Sequence, residues 1–141
     1  MLQVPANPTQ GMAVEIVDET DLILVRQSLR TVGQAAGLGL VAQTKFITAG
    51  SEVARNILKY ATSGRGHLST EQVLLGGRHG PRATFSDEGP GISDITMAMT
   101  DGFSTSGSLG LGLPGAKRLV DEMEIASDEH GTTIVLTMWW H

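Results

Sequence analysis

Residues 87–118 constrain the fold more than any other stretch, because they carry two clusters of glycine. The first cluster reads DEGPG, the second reads GSLGLGLPG, and a polar segment separates them. The chain has 18 glycines in 141 residues, seven of them between Gly89 and Gly115, whereas an average chain has about 7% glycine. Glycine costs backbone entropy, so such clusters indicate positions that need a positive φ or a close approach of main chain to a ligand. We predict two walls of a nucleotide site with a flexible cover between them.

Length and composition predict one folded domain, with 40% hydrophobic and 18% charged residues. No apolar run approaches the ~18 residues of a membrane span, and the first ten residues lack the basic and apolar regions of a secretory signal. The absence of cysteine excludes disulfides and thiolate metal sites. A cytoplasmic protein is therefore expected. Because the net charge is −5 and the basic residues are scattered, we predict neither a nucleic-acid partner nor a membrane partner.

The N-terminal half is predicted to hold a strand and two helices. Residues 1–11 are interpreted as a loose lead-in to a single domain over residues 12–141, with a first strand at residues 13–17. Helical spacing predicts a first helix over residues 21–36, ended by Gly37 and Gly39. The predicted buried side of this helix consists of Leu22, Val25, Leu29, Val32 and Ala36.

A second helix is predicted over residues 41–61, with one buried stripe formed by Ala49, Val53, Ile57 and Ala61. Glu52 and Asn56 lie four residues apart on the shoulder of that stripe, so their side chains stand one above the other. Arg55 and Lys59 fall on another face and are predicted to be solvated.

The second half is predicted to mix hairpins with one long helix. The expected elements are a turn at 63–66, a strand at 67–75, a hairpin turn at 76–81, a strand at 82–86, a short helix at 94–99, a mobile loop at 100–108, a helix at 110–122, and a final hairpin of strands 124–127 and 132–139 turning at His130 and Gly131. Leu111, Ala116, Leu119, Val120 and Met123 are expected to form the buried side of that helix. This order predicts an α+β fold, with helices on one face of a mainly antiparallel sheet.

Residues 110–115 match the G-x-G-x-x-G pattern of dinucleotide-binding proteins. That interpretation requires a strand running directly into the glycines, whereas a polar loop precedes them here, so it is disfavoured. A glycine-rich loop that leads into a helix still offers free N–H groups and a favourable dipole to phosphate.

Four short patterns occur in a set order: Glu52-x-x-x-Asn56 on a helix, Asp87-x-Gly89-x-Gly91 after a strand, Gly107-x-x-Gly110-x-Gly112 opening a helix, and Gly131-Thr132 before the last strand. From about residue 13 to the end, the chain resembles the GHKL ATPases, whose Bergerat nucleotide-binding fold is a two-layer α/β sandwich. Residues 51–56 and 101–115 are similar to one branch, the RsbT-like serine/threonine kinases of bacterial stressosome and partner-switching modules.

The resemblance implies ATP and Mg²⁺ as ligands and a role for each matching residue. Glu52 would be the general base for the attacking hydroxyl, and Asn56 would coordinate the magnesium. Asp87 would accept a hydrogen bond from the adenine amino group, supported by Thr132. The other nucleotide-binding residues implied are Gly89 and Gly91 beside the adenine, a lid over residues 100–109, and Gly107, Leu109, Gly110, Leu111, Gly112 and Leu113 around the triphosphate.

The same resemblance implies partners. A STAS-domain protein would be phosphorylated on serine or threonine, which breaks the complex, and the released kinase would bind and activate a phosphatase. An anti-sigma factor that sequesters a sigma factor is the alternative on the same fold. The four histidines show no ligand spacing, so no zinc site is predicted, and none is suited to carry phosphate as in a phosphorelay histidine kinase.

Simpler interpretations of the same residues stay open at the level of sequence. Glu52 and Asn56 would also suit a solvated pair on a helix, and Asp87 would also suit an ordinary turn. Lys117 and Arg118 lie past the first helical turn and suit either solvent or phosphate. Residues 139–140, a pair of tryptophans, suit either packing at a strand end or contact with a partner.

Overall fold

A computed structural model describes residues 10–60, 65–88 and 112–141, which form two layers. The elements in chain order are β1 (Gln10–Ile16), α1 (Asp21–Ala35), α2 (Leu40–Tyr60), β2 (Gly66–Leu75), β3 (Arg78–Glu88), α3 (Gly112–Leu119), β4 (Glu122–Asp128) and β5 (Gly131–Thr137). The strands form one sheet in the order β1-β2-β3-β5-β4, and all four pairings are antiparallel. The predicted α+β sandwich with an antiparallel sheet is confirmed.

Among the described residues, the helices cover one face of the sheet, as the alternation along β2 shows. Leu68 and Thr70 are buried, while His67, Ser69 and Glu71 between and beside them are exposed. Successive side chains of a strand point to opposite faces, so this pattern is typical of a sheet with one packed and one solvated face. Ligand-binding groups that the sheet and the helices share must therefore lie between the two layers.

The helices bury the stripes that their spacing predicts. All five predicted core residues of α1 and its end are buried, and α1 stops before Gly37, whose φ of +82° is a left-handed conformation. In α2, the buried stripe contains Ala49, Val53 and Ile57; Ala61 lies outside the described residues. Both helices pack on the same hydrophobic core, which holds α2 against the covered face of the sheet.

The turn between β2 and β3 is shorter than predicted. Gly76 and Gly77 alone form it, with φ of +60° and +82°, the two successive positive values of a type I′ turn. Pairing therefore starts at once, with Leu75 opposite Arg78, and the predicted turn residue Gly80 lies inside β3. Gly80 serves a different need there, because the main chain after β5 passes against it at Met138.

The third helix was predicted too long. It ends at Leu119, and β4 begins at Glu122, so Met123 is a strand residue opposite Leu136 rather than part of a helix. Its apolar side chain suits both structures, and pairing with β5 decided between them. The predicted turn at 63–66 falls partly, and the short helix at 94–99 and the loop at 100–108 entirely, outside the described residues.

The two tryptophans that follow β5 have different environments. Trp139 is buried, its Nε1–H donates to Glu122 Oε2 at 2.7 Å, and the Arg78 guanidinium lies 4.4 Å from its ring centroid. Trp140 is half-exposed and stacks on His79, with 5.4 Å between ring centroids. Packing therefore explains Trp139, at the end of the sheet remote from Asp87.

We expect Gly80→Ala to destabilise the fold by about 1–3 kcal/mol, because a β-carbon there would overlap the Met138 carbonyl oxygen and only backbone could yield. Gly33→Ala is the matched control. In the interior of α1 its β-carbon meets Leu38 and Gln43 at ordinary distances of 3.6 and 3.7 Å, so we expect a gain of about 0.5–1 kcal/mol. Urea unfolding followed by circular dichroism measures both; equal effects would contradict the close approach at Gly80.

Candidate nucleotide site

The long helix α2 supplies two of the predicted site residues. Glu52 is buried, with 8% of its surface exposed, and Asn56 is half-buried one turn further on. Glu52 and Asn56 each directly precede a core residue of α2, Val53 and Ile57, so both lie at the edge of the helix face that packs on the core. An ordinary solvated pair does not describe Glu52, since a buried carboxylate requires partners.

Both carboxylate oxygens of Glu52 have a partner. Oε1 accepts the main-chain N–H of Gly112 at 3.1 Å, and Oε2 accepts Nη1 of Arg55 at 2.7 Å. Gly112 is the first residue of α3 and has a φ of +67°, a left-handed conformation that favours glycine. The fold thus brings Gly112 of the second glycine cluster against the predicted base, although 60 residues separate them.

Arg55 is exposed, as predicted, with 47% of its side chain accessible, and its guanidinium also forms a salt bridge with Glu52 that was not predicted. The signal was present in the sequence, because residues three apart on a helix are neighbours and opposite charges at that spacing attract. Lys59 is exposed, as expected.

Asp87 and Thr132 lie directly opposite each other on β3 and β5. They share a sheet face with the buried pair Phe85 and Ile134, so they also border the space under the helices. The Asp87 carboxylate accepts the main-chain N–H of Thr132. The two residues that were predicted to contact adenine are therefore joined to each other.

Thr132 is buried, and its hydroxyl oxygen lies 2.8 Å from that of Ser127 on β4. Sequence reasoning missed Ser127, because only the pairing of β4 with β5 brings it opposite Thr132. One of the two hydroxyls donates to the other, which orients the Thr132 side chain beside Asp87.

Burial raises the pKa of the Asp87 carboxyl, and the hydrogen bond from Thr132 N–H opposes that shift only in part. Asp18 in the turn before α1 shows the reverse, because hydrogen bonds from the Thr20 hydroxyl and main-chain N–H lower its pKa. A carboxylate whose charged form is disfavoured by burial lowers the stability of the folded protein at neutral pH. Such a group is a candidate for ligand recognition.

The remaining predicted site residues fall into two groups. Leu113 is buried in the hydrophobic core, which leaves only its main chain for contact with a nucleotide. The others lie outside the described residues, so their roles stay predictions: Gly89, Gly91, Gly107, Leu109, Gly110 and Leu111. Lys117 and Arg118 are exposed on α3.

Residues 10–60, 65–88 and 112–141 were also searched for a metal site, a membrane-spanning helix and a further cavity. No cluster of three or more histidine, aspartate or glutamate side chains could hold a metal there, and no helix there has the length and apolarity to cross a membrane. A surface cavity of about 500 Å³ lies between β1 and α1, beside Glu15, Asp21 and Ser28. None of the predicted site residues lines it.

The model of the histidine kinase-, DNA gyrase B- and HSP90-like ATPases, HATPase_c, matches residues 41–140. The chain belongs to the HATPase_c family. Within this family it is similar to the serine/threonine-protein kinase RsbT of Bacillus subtilis, with 47% identity over 127 residues, which cover 89% of this chain and 94% of that protein. This HATPase_c protein is therefore an RsbT-like serine/threonine kinase, and the predicted GHKL resemblance is confirmed.

Solved structures agree on the fold of this HATPase_c protein. A crystal structure of RsbU and RsbW domains from Mycobacterium tuberculosis superposes with a TM-score of 0.58 at 24% identity, covering 90% of this chain and 32% of that one. The histidine kinase domain of a blue-light activated histidine kinase from Erythrobacter litoralis gives a TM-score of 0.50 at 19% identity, with coverages of 84% and 63%. At these identities the likeness concerns the fold alone.

The raised pKa of Asp87 predicts how stability depends on pH. The ordinary pKa of an aspartate, about 3.9, applies to the unfolded chain, and the pKa of Asp87 in the folded protein is higher. As pH rises between these two pKa values, the unfolded chain releases its proton before the folded protein does. The free energy of unfolding therefore falls across this pH window. We expect Asp87→Asn, which cannot ionise, to be more stable than the parent above the window and equal to it below. Urea midpoints from about pH 3 to about pH 7 measure the difference.

Asp18→Asn is the control of opposite sign. The pKa of Asp18 is lower in the folded protein than in the unfolded chain. Asp18 therefore stabilises the fold at pH values above the ordinary aspartate pKa, and this stabilisation is lost as pH falls through the pKa of the folded state. We therefore expect Asp18→Asn to be less stable than the parent at neutral pH, whereas Asp87→Asn should be more stable than the parent. A loss of stability in Asp87→Asn at neutral pH would contradict the unfavourable burial of that carboxylate.

Proposed function

We propose that this kinase transfers phosphate from ATP to a serine or threonine of a STAS-domain partner in a bacterial partner-switching module, and that phosphorylation breaks the complex. The observation that carries the proposal is the buried Glu52 carboxylate, held one turn before Asn56 and against the first residue of α3. The 47% identity to a serine/threonine-protein kinase supports the same reaction. Glu52 is the general base in this proposal.

Asn56 is the proposed magnesium ligand. Its half-buried amide lies on the same face of α2 as Glu52, and magnesium prefers oxygen ligands, keeps several waters and is often shared with substrate phosphates. One protein amide oxygen therefore suits this ion. When bound, magnesium would neutralise charge on the phosphates, while positioning by the protein supplies most of the remaining catalysis.

Asp87 and Thr132 are the proposed adenine contacts. The Asp87 carboxylate accepts one N–H from Thr132 and has further lone pairs that could accept the amino N–H of adenine. Because the carboxylate is partly buried, a hydrogen bond from a ligand would compensate for water that it has lost. The Thr132 hydroxyl, oriented by Ser127, supports the same edge of the base. This arrangement favours a purine with an exocyclic amino group.

The proposed cycle has a second partner. Once released from the STAS protein, the kinase binds a downstream regulator such as a phosphatase, and the module operates in the cytoplasm. Sequestration of a sigma factor is the alternative, and the identity to RsbT over 89% of the chain favours the switch kinase. Recovery of a sigma factor, rather than a STAS protein or a phosphatase, in pull-downs would reverse this choice.

The transfer assay uses γ-labelled ATP, magnesium and the STAS-domain proteins of the same genome. We expect Glu52→Gln to lower transfer roughly 100- to 10,000-fold, because a general base contributes about that much, with nucleotide binding retained. Glu71→Gln, on the solvated face of the sheet, is the matched control and should behave as the parent. Equal transfer by the parent and Glu52→Gln would count against Glu52 as the base.

Measurements of ATP affinity test the proposed roles of Asp87 as an adenine contact and Asn56 as a magnesium ligand. We expect Asp87→Ala to weaken ATP binding both with and without magnesium, because it removes an adenine contact. Asn56→Ala should weaken it only when magnesium is present. Calorimetric titration of ATP under both conditions measures these constants. An Asn56→Ala variant that keeps the full magnesium effect would exclude the proposed ligand.

A further inference from the structure

Arg55 contacts the proposed base asymmetrically. Its Nη1 lies 2.7 Å from Oε2 of Glu52, a short charge-assisted hydrogen bond, whereas Oε1 of the same carboxylate accepts the neutral N–H of Gly112 at 3.1 Å. The two oxygens of one base are therefore in unequal environments.

The asymmetry determines which oxygen is free to take a proton. Each carboxylate oxygen has two lone pairs, and the oxygen held by a guanidinium is the poorer proton acceptor, since the positive charge stabilises its negative charge. Oε1 keeps a lone pair beside a neutral donor, at the point where α2 meets the start of α3. That point is where the glycine-rich segment enters the described structure.

We propose that Arg55 is a positioning residue for phosphotransfer, which holds Oε2 so that Oε1 faces the attacking hydroxyl. This inference rests on the proposed function. The hydroxyl oxygen of the partner forms a bond to the γ-phosphorus, the bond from that phosphorus to the β–γ bridging oxygen breaks, and ADP leaves with that electron pair. The hydroxyl proton passes to Oε1 of Glu52 and from there to solvent.

The location of Arg55 favours a role in positioning Glu52 over a direct contact with the nucleotide. Its side chain is 47% exposed and that of Glu52 is 9% exposed, so the guanidinium approaches the carboxylate from the solvent side of α2. Arg55 follows Glu52 by three residues on α2, so the contact lies within one helix. A local contact of this kind orients the base without requiring the sheet or the glycine-rich segment.

The test compares Arg55→Ala, Arg55→Lys and Lys45→Ala with the parent. We expect Arg55→Ala to lower kcat roughly 10- to 100-fold with the Kd for ATP unchanged, since misplacement of a catalytic group by about 1 Å costs that much. Arg55→Lys should recover part of the rate, because its ammonium keeps the charge but forms one point contact. Lys45→Ala, an exposed cation on the same helix, should match the parent. Circular dichroism checks that each variant is folded.

A double-mutant cycle on the transfer rate tests whether Arg55 acts through Glu52 or only stabilises the helix. If Arg55 acts through Glu52, adding Arg55→Ala to Glu52→Gln should leave the residual rate unchanged. A further 10-fold loss in that background, an Arg55→Ala variant with the parental kcat, or a weakened Kd for ATP would each overturn the inference. A parent that transfers no phosphate to any STAS protein would instead overturn the proposed function.

Discussion

A buried carboxylate on α2 is the constraint around which the site is built. Taking the charge of Glu52 out of water is costly unless both oxygens are engaged, and the fold meets that requirement with one partner from the same helix and one from the start of α3. The partner from α3 requires a left-handed residue at position 112, which glycine supplies. The same contact that satisfies the carboxylate therefore links the first residue of α3 to α2.

The two layers of the sandwich contribute different chemistry. The helical layer supplies Glu52, the proposed base, with Arg55 and the proposed metal ligand Asn56, whereas the sheet supplies Asp87 and the hydroxyl of Thr132, the proposed adenine contacts. On the sheet side, burial raises the pKa of Asp87, and the main-chain N–H of Thr132 opposes that shift in part. A buried acceptor of this kind lowers stability at neutral pH, and such groups are common at functional sites.

The far end of the sheet is organised by packing. The Arg78 guanidinium lies over the Trp139 ring, and Glu122 accepts the Nε1–H of the same residue. Gly80 permits the main chain after β5 to pass close to β3. These contacts extend the pairing of β3 with the tail beyond β5, because Trp140 N–H donates to the His79 carbonyl at 2.7 Å. The end of the sheet that carries the tryptophans and the end that carries Asp87 are thus separate.

The sequence by itself determined the elements whose signals are local: the buried stripes of α1 and α2, the strand that leads into Asp87, and the short motifs that placed the chain among the GHKL ATPases. It also placed Glu52 and Asn56 on one helix face, since spacing alone decides that. Tertiary structure decided what depends on distant partners. Met123 became a strand residue because β5 offered it hydrogen bonds, Ser127 reached Thr132 through strand pairing, and Glu52 met Gly112 because α2 and α3 pack together. No local pattern encodes these contacts, because each depends on a partner that only the packed fold brings close.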